Sequence, residues 1–351
     1  MSVSRDSGLW RFGIIGCGTI ADFHIAAIRG LDGAKLTVVS SRDGVKAHAV
    51  AEREDCAWTA DYKELLQRDD VDIVCITTAS GSHYRIGCDA LAAGKHVVIE
   101  KPLAMRASEA EELCRLAEEH GLTLSVISQR RFEPLHREVK RIVAEGRIGK
   151  LLLAEVEVPF YRSQQYYDSS PWRGTIAEDG GAFMNQGIHS VDLLLWLAGE
   201  VRAVYGRIVT QTHEMEAEDI GVAIVHFKSG ALGTMMASTS ITPGFPAAIR
   251  LYGAEGAIKL SGSSIEHWSV PGYEAPSVFS ESPAYGGVSD PRSISHLYHQ
   301  LQLANVIESI ESGCQPAVSG GDGFRAIQLI EAVYESSASG KEIRIEPHFI
   351  L

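Results

Sequence analysis

Three groups of residues in this chain have types and spacings that could carry out chemistry. The first is Gly16-Cys17-Gly18-Thr19-Ile20-Ala21, a G-x-G-x-x-A run between an apolar segment ending at Ile15 and a helix-like segment. The first glycine of such a run permits a tight turn. The second lets backbone approach a pyrophosphate, and a small third residue lets the helix pack close to the strand. The helix N-terminus adds free N–H groups and a dipole that favours an anion. Gly16, Gly18, Thr19 and Ile20 are therefore expected to hold a dinucleotide. The second group, Glu100-Lys101-Pro102, follows the apolar run His96-Val97-Val98-Ile99. It would stand at the carboxyl end of a later strand of the same sheet, on the edge where such sheets hold ligands. Glu100 and Lys101 would then border a bound nicotinamide, and a cation there points to redox chemistry on a hydroxyl or carbonyl.

The third group is Gly180-Gly181 followed by Asn185, Gln186, His189, Asp192 and Trp196. At helical spacing Asn185, His189, Asp192 and Trp196 share one face, with Leu193, Leu194 and Leu197 on the packed side. The glycine pair lets a ligand or another backbone come close. A lone helical histidine is often structural, but this one shares its face with polar residues. The ordinary pKa of a histidine lies near working pH, where proton transfer is efficient in both directions. In that reading His189 moves the proton, Lys101 stabilises developing alkoxide charge, and Asn185 positions the hydroxyl.

Further residues bear on what is bound. Where an acid would hold the ribose 2′-OH of NAD, the second strand ends Ser40-Ser41-Arg42. A hydroxyl and a guanidinium at Ser41 and Arg42 suit a 2′-phosphate, so NADP is favoured over NAD, although Asp43 is adjacent. The loop Thr77 to His83 would cover the cofactor through Thr78, Ser80 and His83, while Ser82 could cap the next helix. Arg130, Tyr161, Trp172, Arg173 and Gln186, with Arg131, Arg162, Tyr166 and Tyr167 nearby, suit stacking on sugar rings or holding anionic groups. They could equally serve surface or subunit contacts. His296 and His299 stand three apart with no third ligand evident, so no metal is expected.

Alternating segments must position these groups. Residues 10–125 alternate strand-like and helix-like segments, with strands ending at Ile15, Ser40, Thr77, Glu100 and, for the last, Ser128. This alternation predicts a parallel sheet with helices on both faces. After Gln129 a basic helix from Pro134 to Glu145 leads into strands at 151–160, 201–211, 219–227, 231–239, 247–252 and 257–260, interrupted by a helix from Met184 to Leu197. Residues 261–290, rich in Ser, Pro and Gly, read as a loop or lid. Helices at 293–312 and 323–339 and a strand at 342–345 close the chain. The division expected is a dinucleotide-binding domain over 1–129, a substrate and oligomerisation domain over 130–290, and a completing segment over 291–351.

A chain of 351 residues with 45% apolar and 22% charged residues has room for two cores. The net charge of −13 argues against nucleic-acid or anionic-membrane partners. No apolar run approaches the roughly 18 to 20 residues of a membrane span. The six cysteines lack C-x-x-C spacing, and no apolar signal core opens the chain, which fits a reducing, cytoplasmic setting.

The glycine-rich turn, Glu100-Lys101-Pro102 and Gly180-Gly181-x-x-x-Asn185-x-x-x-His189-x-x-Asp192, in that order, resemble the glucose–fructose oxidoreductase / inositol dehydrogenase / rhizopine catabolism (Gfo/Idh/MocA) family. The likeness extends to His299-x-x-Gln302 and Gly320-x-x-Gly323. It implies a Rossmann domain and a C-terminal α/β domain with an open, mostly antiparallel sheet, which packs on a partner subunit to give a homodimer or homotetramer. It also implies NAD(P)-dependent oxidation or reduction of sugars, polyols or inositols, with Lys101 and His189 as the catalytic pair. Many members carry Asp at the position of Asn185, and the usual Pro of the loop after the third main strand is Ala79. An enzyme that recycles a tightly bound cofactor, or a nucleotide-sensing regulator, remain the alternative readings.

Overall fold

The computed structural model describes residues 8–277 and 295–346. Its first half runs β1 (Trp10–Ile15), α1 (Thr19–Arg29), β2 (Ala34–Ser40), α2 (Gly44–Glu54), β3 (Ala57–Thr59), α3 (Tyr62–Leu66), β4 (Ile73–Ile76), α4 (His83–Ala92), β5 (His96–Ile99), α5 (Ala107–His120) and β6 (Leu124–Val126). The strands form a six-stranded parallel sheet in the order β3-β2-β1-β4-β5-β6. Helices cover both faces, so β4 and the Val97, Val98 and Ile99 side chains of β5 are wholly buried and their sequences are unbroken apolar runs. The order reverses at β1, where the chain passes from β3 across to β4. The carboxyl ends of β1 and β4 therefore open into a crevice.

The second half contains α6 (Pro134–Ala144), β7 (Leu151–Pro159), α7 (Gln164–Asp168), α8 (Ile188–Ala198), β8 (Val201–Val209), β9 (Ile220–Phe227), β10 (Leu232–Ser238), β11 (Ala248–Gly253), β12 (Ala257–Ser261), β13 (Ser264–Ser269), α9 (Leu297–Ser312), α10 (Gly320–Ser339) and β14 (Ile343–Arg344). Its eight-stranded sheet has the order β13-β12-β11-β7-β10-β9-β8-β14. Every pairing is antiparallel except β7 with β10. Helices α8 and α10 pack against the sheet. Alternate residues of the central strands point the other way and leave Tyr205, Val222, Ile224 and Leu232 exposed.

Two strands escape the sequence pattern. β3 is three residues long, too short for a period to show. β13 falls inside the segment expected as a loop or lid. Its polar, largely exposed sequence Ser264-Ile-Glu-His-Trp-Ser pairs only with β12, at the sheet edge, so little burial marks it. Residues 278–290 of that expected loop lie outside the described residues, as do the first two of the helix expected from 293. The closing segment is divided between the two sheets. α9 returns to the first half, where Leu303 and Val306 join Phe12, Ile14, Ile25 and Ile28 in one apolar cluster. α10 packs on β8, α8 and α5.

Candidate active site

The glycine-rich turn lies at the crevice. Gly16 has φ +109°, a backbone region that L side chains rarely adopt, and a Cβ there would come within 2.7 Å of the Thr77 carbonyl oxygen. Gly18 precedes α1 without a side-chain cap, and a Cβ on it would meet nothing within 4 Å. The space in front of the helix N-terminus is thus open to an anion. A cleft of about 860 Å³ runs from this turn past Thr19 and Ile20 to Thr78 at one side and to Ser41 and Arg42 at the other. Asp43, adjacent in sequence, caps α2 by accepting from the Lys46 N–H at 3.2 Å. Shape and chemistry both fit a dinucleotide.

A second cavity of about 930 Å³ adjoins the first and shares Thr19, Ile20, Thr78, Ala79, Trp172 and Arg173 with it. Lys101 reaches it from the end of β5. Asn185 and His189 reach it from the opposite domain. A π-helical turn, Ala182–Gly187, precedes α8 and carries Asn185. Such wide turns alter which side chains share a face and recur at functional sites. Here the turn sets where Asn185 lies relative to His189, and both line the cavity, whereas Asp192, three residues beyond His189 in α8, is buried against Arg131 and does not line it. The Arg131 Nε–H donates to buried Asp192 at 2.8 Å, so that carboxylate holds the fold together.

The Lys101 ammonium donates to the Asn185 backbone oxygen at 2.9 Å and to Asn185 Oδ1 at 3.0 Å. Burial pushes its pKa down, against the attraction of Glu100 and Asp179. Burial, reinforced by the cations Lys101 and Arg130, pushes the His189 imidazole down to about 3. The ring is therefore neutral at working pH, which corrects the expectation of a midpoint near it: burial and the neighbouring cations disfavour the imidazolium. Neutral imidazole is the form that takes a proton, and the shift lowers its basicity.

Glu100 lies beneath Lys101. His24 Nε2 is 2.9 Å from Glu100 Oε1, and His299 Nε2 stands 3.6 Å from the same oxygen. Burial acts to raise the Glu100 carboxyl, but the two imidazoles outweigh it and hold it well below the usual range. The sequence offered His299 no third ligand. In space His24 and Glu100 bring their ligand atoms to within 4.8 Å of it and of each other, and the His24–Glu100 contact uses them as a hydrogen-bonded pair. A signal for His24 was available: it is spaced four residues from both Ile20 and Ile28, so it falls on the apolar face of α1 and needs a buried partner.

Other expected residues divide. Ser80, Trp172, Arg173 and Gln186 line the second cavity with Arg162 and Tyr166. The Arg173 guanidinium lies 4.1 Å from the Tyr166 ring centroid and 4.7 Å from that of Trp172. Among the described residues neither Arg162 nor Arg173 forms an ion pair, and Arg173 Nε is buried without a hydrogen-bond partner. Three residues stand apart from the cavity lining. His83 is buried, with Nδ1 2.7 Å from the Pro102 oxygen and Nε2 3.1 Å from the Thr78 oxygen, so it braces the two loops. Arg130 is buried against Glu133 at 3.2 Å. Tyr161 is exposed and forms an isolated bridge with Ser240.

Two carboxylates went unread in the sequence. Asp179, just ahead of the glycine pair, accepts from Asn185 Nδ2 at 2.5 Å. Glu218 takes the space beside Gly181, where the sequence left room for a ligand or a backbone. Its Oε1 accepts from the Phe183 N–H at 2.9 Å and the Tyr334 hydroxyl at 3.0 Å, and burial raises its carboxyl to about 7.

Comparison with known proteins agrees with this geometry. Residues 10–128 match the oxidoreductase family with an NAD-binding Rossmann fold, and residues 136–259 match the GFO/IDH/MocA C-terminal domain. The chain is 25% identical to scyllo-inositol 2-dehydrogenase (NAD(+)) of Bacillus subtilis, covering 96% of each. It is 26% identical to scyllo-inositol 2-dehydrogenase (NADP(+)) IolW of the same organism, again covering 96% of each. The WlbA dehydrogenase of Bordetella pertussis, solved in complex with NADH and UDP-GlcNAcA, superposes with a TM-score of 0.86 at 31% identity, over 97% of this chain and 100% of that one. Two matched domains in the order of the two sheets, and relatives aligned nearly end to end, make this chain an oxidoreductase of the Gfo/Idh/MocA family.

Proposed function

We propose that this protein moves hydride between a secondary alcohol of a sugar acid and a nicotinamide dinucleotide. The observation that carries the reading is the convergence of Lys101, Asn185 and His189 on a cavity that adjoins the glycine-turn cleft. A nicotinamide seated between the two would accept or return the hydride. His189, neutral, takes the hydroxyl proton in oxidation. Lys101, cationic, stabilises the oxygen as charge develops on it. Asn185 fixes the ammonium so that it faces the reacting oxygen.

Arg162 and Arg173 support an anionic substrate. Among the described residues they form no ion pair, in a protein of net charge −13, and the WlbA dehydrogenase was solved in complex with UDP-GlcNAcA on the same fold. Reduced-nicotinamide formation should be measured over a panel of UDP-sugars and free sugars with and without a carboxylate, together with inositols. Faster turnover of the carboxylates is expected. Turnover of inositols alone would overturn the sugar-acid assignment, and no turnover at all would overturn the oxidoreductase mechanism offered here.

The cofactor corner supports NADP through Ser41, Arg42 and Lys46, and Asp43, which also lines it, accepts the Lys46 N–H at the start of α2. Calorimetric titration should give tighter binding of NADPH than NADH, and Arg42→Ala should lose about tenfold in NADPH affinity, on the order of one charge-assisted contact. Tighter NADH binding, unaffected by Arg42→Ala, would reverse the assignment.

The exposed apolar row on the second sheet supports self-association. Tyr205 pairs with Ile224 across β8 and β9, and Val222 with Met236 across β9 and β10. Val222 and Ile224 are 51% and 47% exposed and, with Tyr205 beside them, form a contiguous apolar patch of the kind that marks an interaction face. Light scattering on the eluting protein should give a multiple of 38.0 kDa, and Ile224→Lys should dissociate it. A 38.0 kDa particle would overturn the oligomer. Free cysteines throughout and ordinary acidic composition support a cytoplasmic location. No helix among the described residues is long and apolar enough to cross a membrane.

A further inference from the structure

Among the described residues no carboxylate forms an ion pair with Lys101, whose ammonium donates instead to Asn185. Asp179 is 2% exposed and fixed by its neighbours. Its own N–H donates to the Thr175 oxygen at 3.2 Å, and its Oδ2 accepts from the Gly174 N–H at 2.8 Å. Its other oxygen accepts from Asn185 Nδ2, while Asn185 Oδ1 accepts from the Lys101 ammonium. An ammonium can only donate and an ionised carboxylate can only accept. The amide between them therefore has one allowed orientation, with its oxygen toward Lys101 and its nitrogen toward Asp179. Held this way, the amide dipole is aligned along the line from cation to anion, where each hydrogen bond strengthens the next.

We infer that Asp179 is the counter-charge of Lys101, acting through the side-chain amide of Asn185, and is a positioning residue for hydride transfer. The negative charge is moved one side chain back from the reacting oxygen. It holds the ammonium in place without occupying the space that a substrate oxygen needs. An anionic substrate also meets less repulsion than it would beside a carboxylate at position 185. The catalytic meaning rests on the proposed function; the electrostatic coupling does not.

The geometry agrees with the electrostatics of the cluster. Burial raises the Asp179 carboxyl, and the Gly174 N–H, Lys101 and Arg173 act to keep it ionised. Glu100 and Asp179 favour the Lys101 cation, Arg162 and Arg173 oppose it, and Lys101 and His189 disfavour each other's charged forms. Removing Asp179 thus takes away a favourable attraction at a buried ammonium.

The test is a titration of the Lys101 side chain by NMR on the full-length protein, assigned by its loss in Lys101→Arg. In Asp179→Asn the midpoint should fall by at least about half a pH unit, and in the double variant D179N/N185D it should return toward the wild-type value. Where turnover is measurable, D179N should lower kcat by about tenfold or more, with KM changed less than about threefold, and should move the alkaline limb of the pH profile to lower pH. The double variant is the decisive arm, because a merely structural role for Asp179 would not be rescued by moving the carboxylate to position 185. If D179N does not fold, Asn185→Ala replaces it: with the bridge cut, the Lys101 midpoint should again fall. An unchanged midpoint in D179N or N185A, or a double variant that stays at the D179N value, would overturn the inference. Because the titration needs no substrate, such a failure is distinct from failure of the proposed reaction.

Discussion

Replacing Lys101 with alanine or methionine should lower kcat by about 10²- to 10³-fold, the cost of removing one charged donor aimed at a developing oxyanion. Cofactor affinity should change by less than about threefold, because the dinucleotide is gripped along the glycine-turn cleft and Lys101 lines only the adjoining cavity. Lys101→Met is the sharper variant. It keeps the volume and leaves Asn185 Oδ1 and the Asn185 backbone oxygen without their donor. Steady-state kinetics together with calorimetric titration of the cofactor separate the two effects. A variant that turns over like the wild type would remove Lys101 from the reacting centre, and one that loses cofactor and turnover in proportion would make it a binding residue.

Gly181→Ala should damage both the fold and the site. The added Cβ would fall 1.9 Å from Glu218 Oε2 and 2.5 Å from the Glu218 backbone oxygen, so moving a side-chain tip does not relieve it. The backbone of Gly181 also accepts the Asn185 N–H at 3.0 Å, and the Ala182 N–H donates to the Glu218 oxygen at 2.8 Å. Relief must therefore shift the wide turn that carries Asn185. A stability loss of about 1–3 kcal/mol from overpacking is expected, together with a fall in kcat of about 100-fold for a displacement of about 1 Å at the site. Thermal denaturation and kinetics on the same preparation check both. Full stability with full activity would show that the turn accommodates a methyl group and does not set the position of Asn185.

The residues that could be read in the sequence are those whose role is local. Gly16 and Gly18 declare a turn, Lys101 the end of a strand, and Asn185 and His189 a shared approach to the cavity. All five come together as spacing and order suggested. What spacing could not show is set by partners distant in the chain. His83 has the look of a loop ligand but is claimed by the carbonyls of Thr78 and Pro102. Asp192 lies one helical turn from His189, yet it is claimed by Arg131, 61 residues away, and does not reach the cavity. Arg130 carries a charge suited to substrate, but burial beside Glu133 satisfies it first. Asp179 and Glu218 give no signal in the sequence, because nothing local reveals that each is buried against the turn bearing Asn185. The same holds for the fold. The parallel sheet announced itself through alternating buried strands and helices, whereas β13, half exposed at an edge, has too few buried positions to produce a period.

The return of α9 to the first sheet has consequences for how the chain is made. Leu303 and Val306 sit in the same cluster as Phe12 and Ile28, Gln302 donates to the Val126 oxygen at 2.7 Å, and His299 lies against Glu100. The nucleotide-binding half is therefore encoded in two separated pieces. The part that leaves the ribosome first cannot close its core until Leu297–Ser312 has been synthesised. An exchange of cofactor preference between relatives by gene fusion must likewise transplant both pieces. A junction placed only after residue 129 would join one protein's α1 to another's α9, and the mismatch would fall beside Glu100 and Lys101.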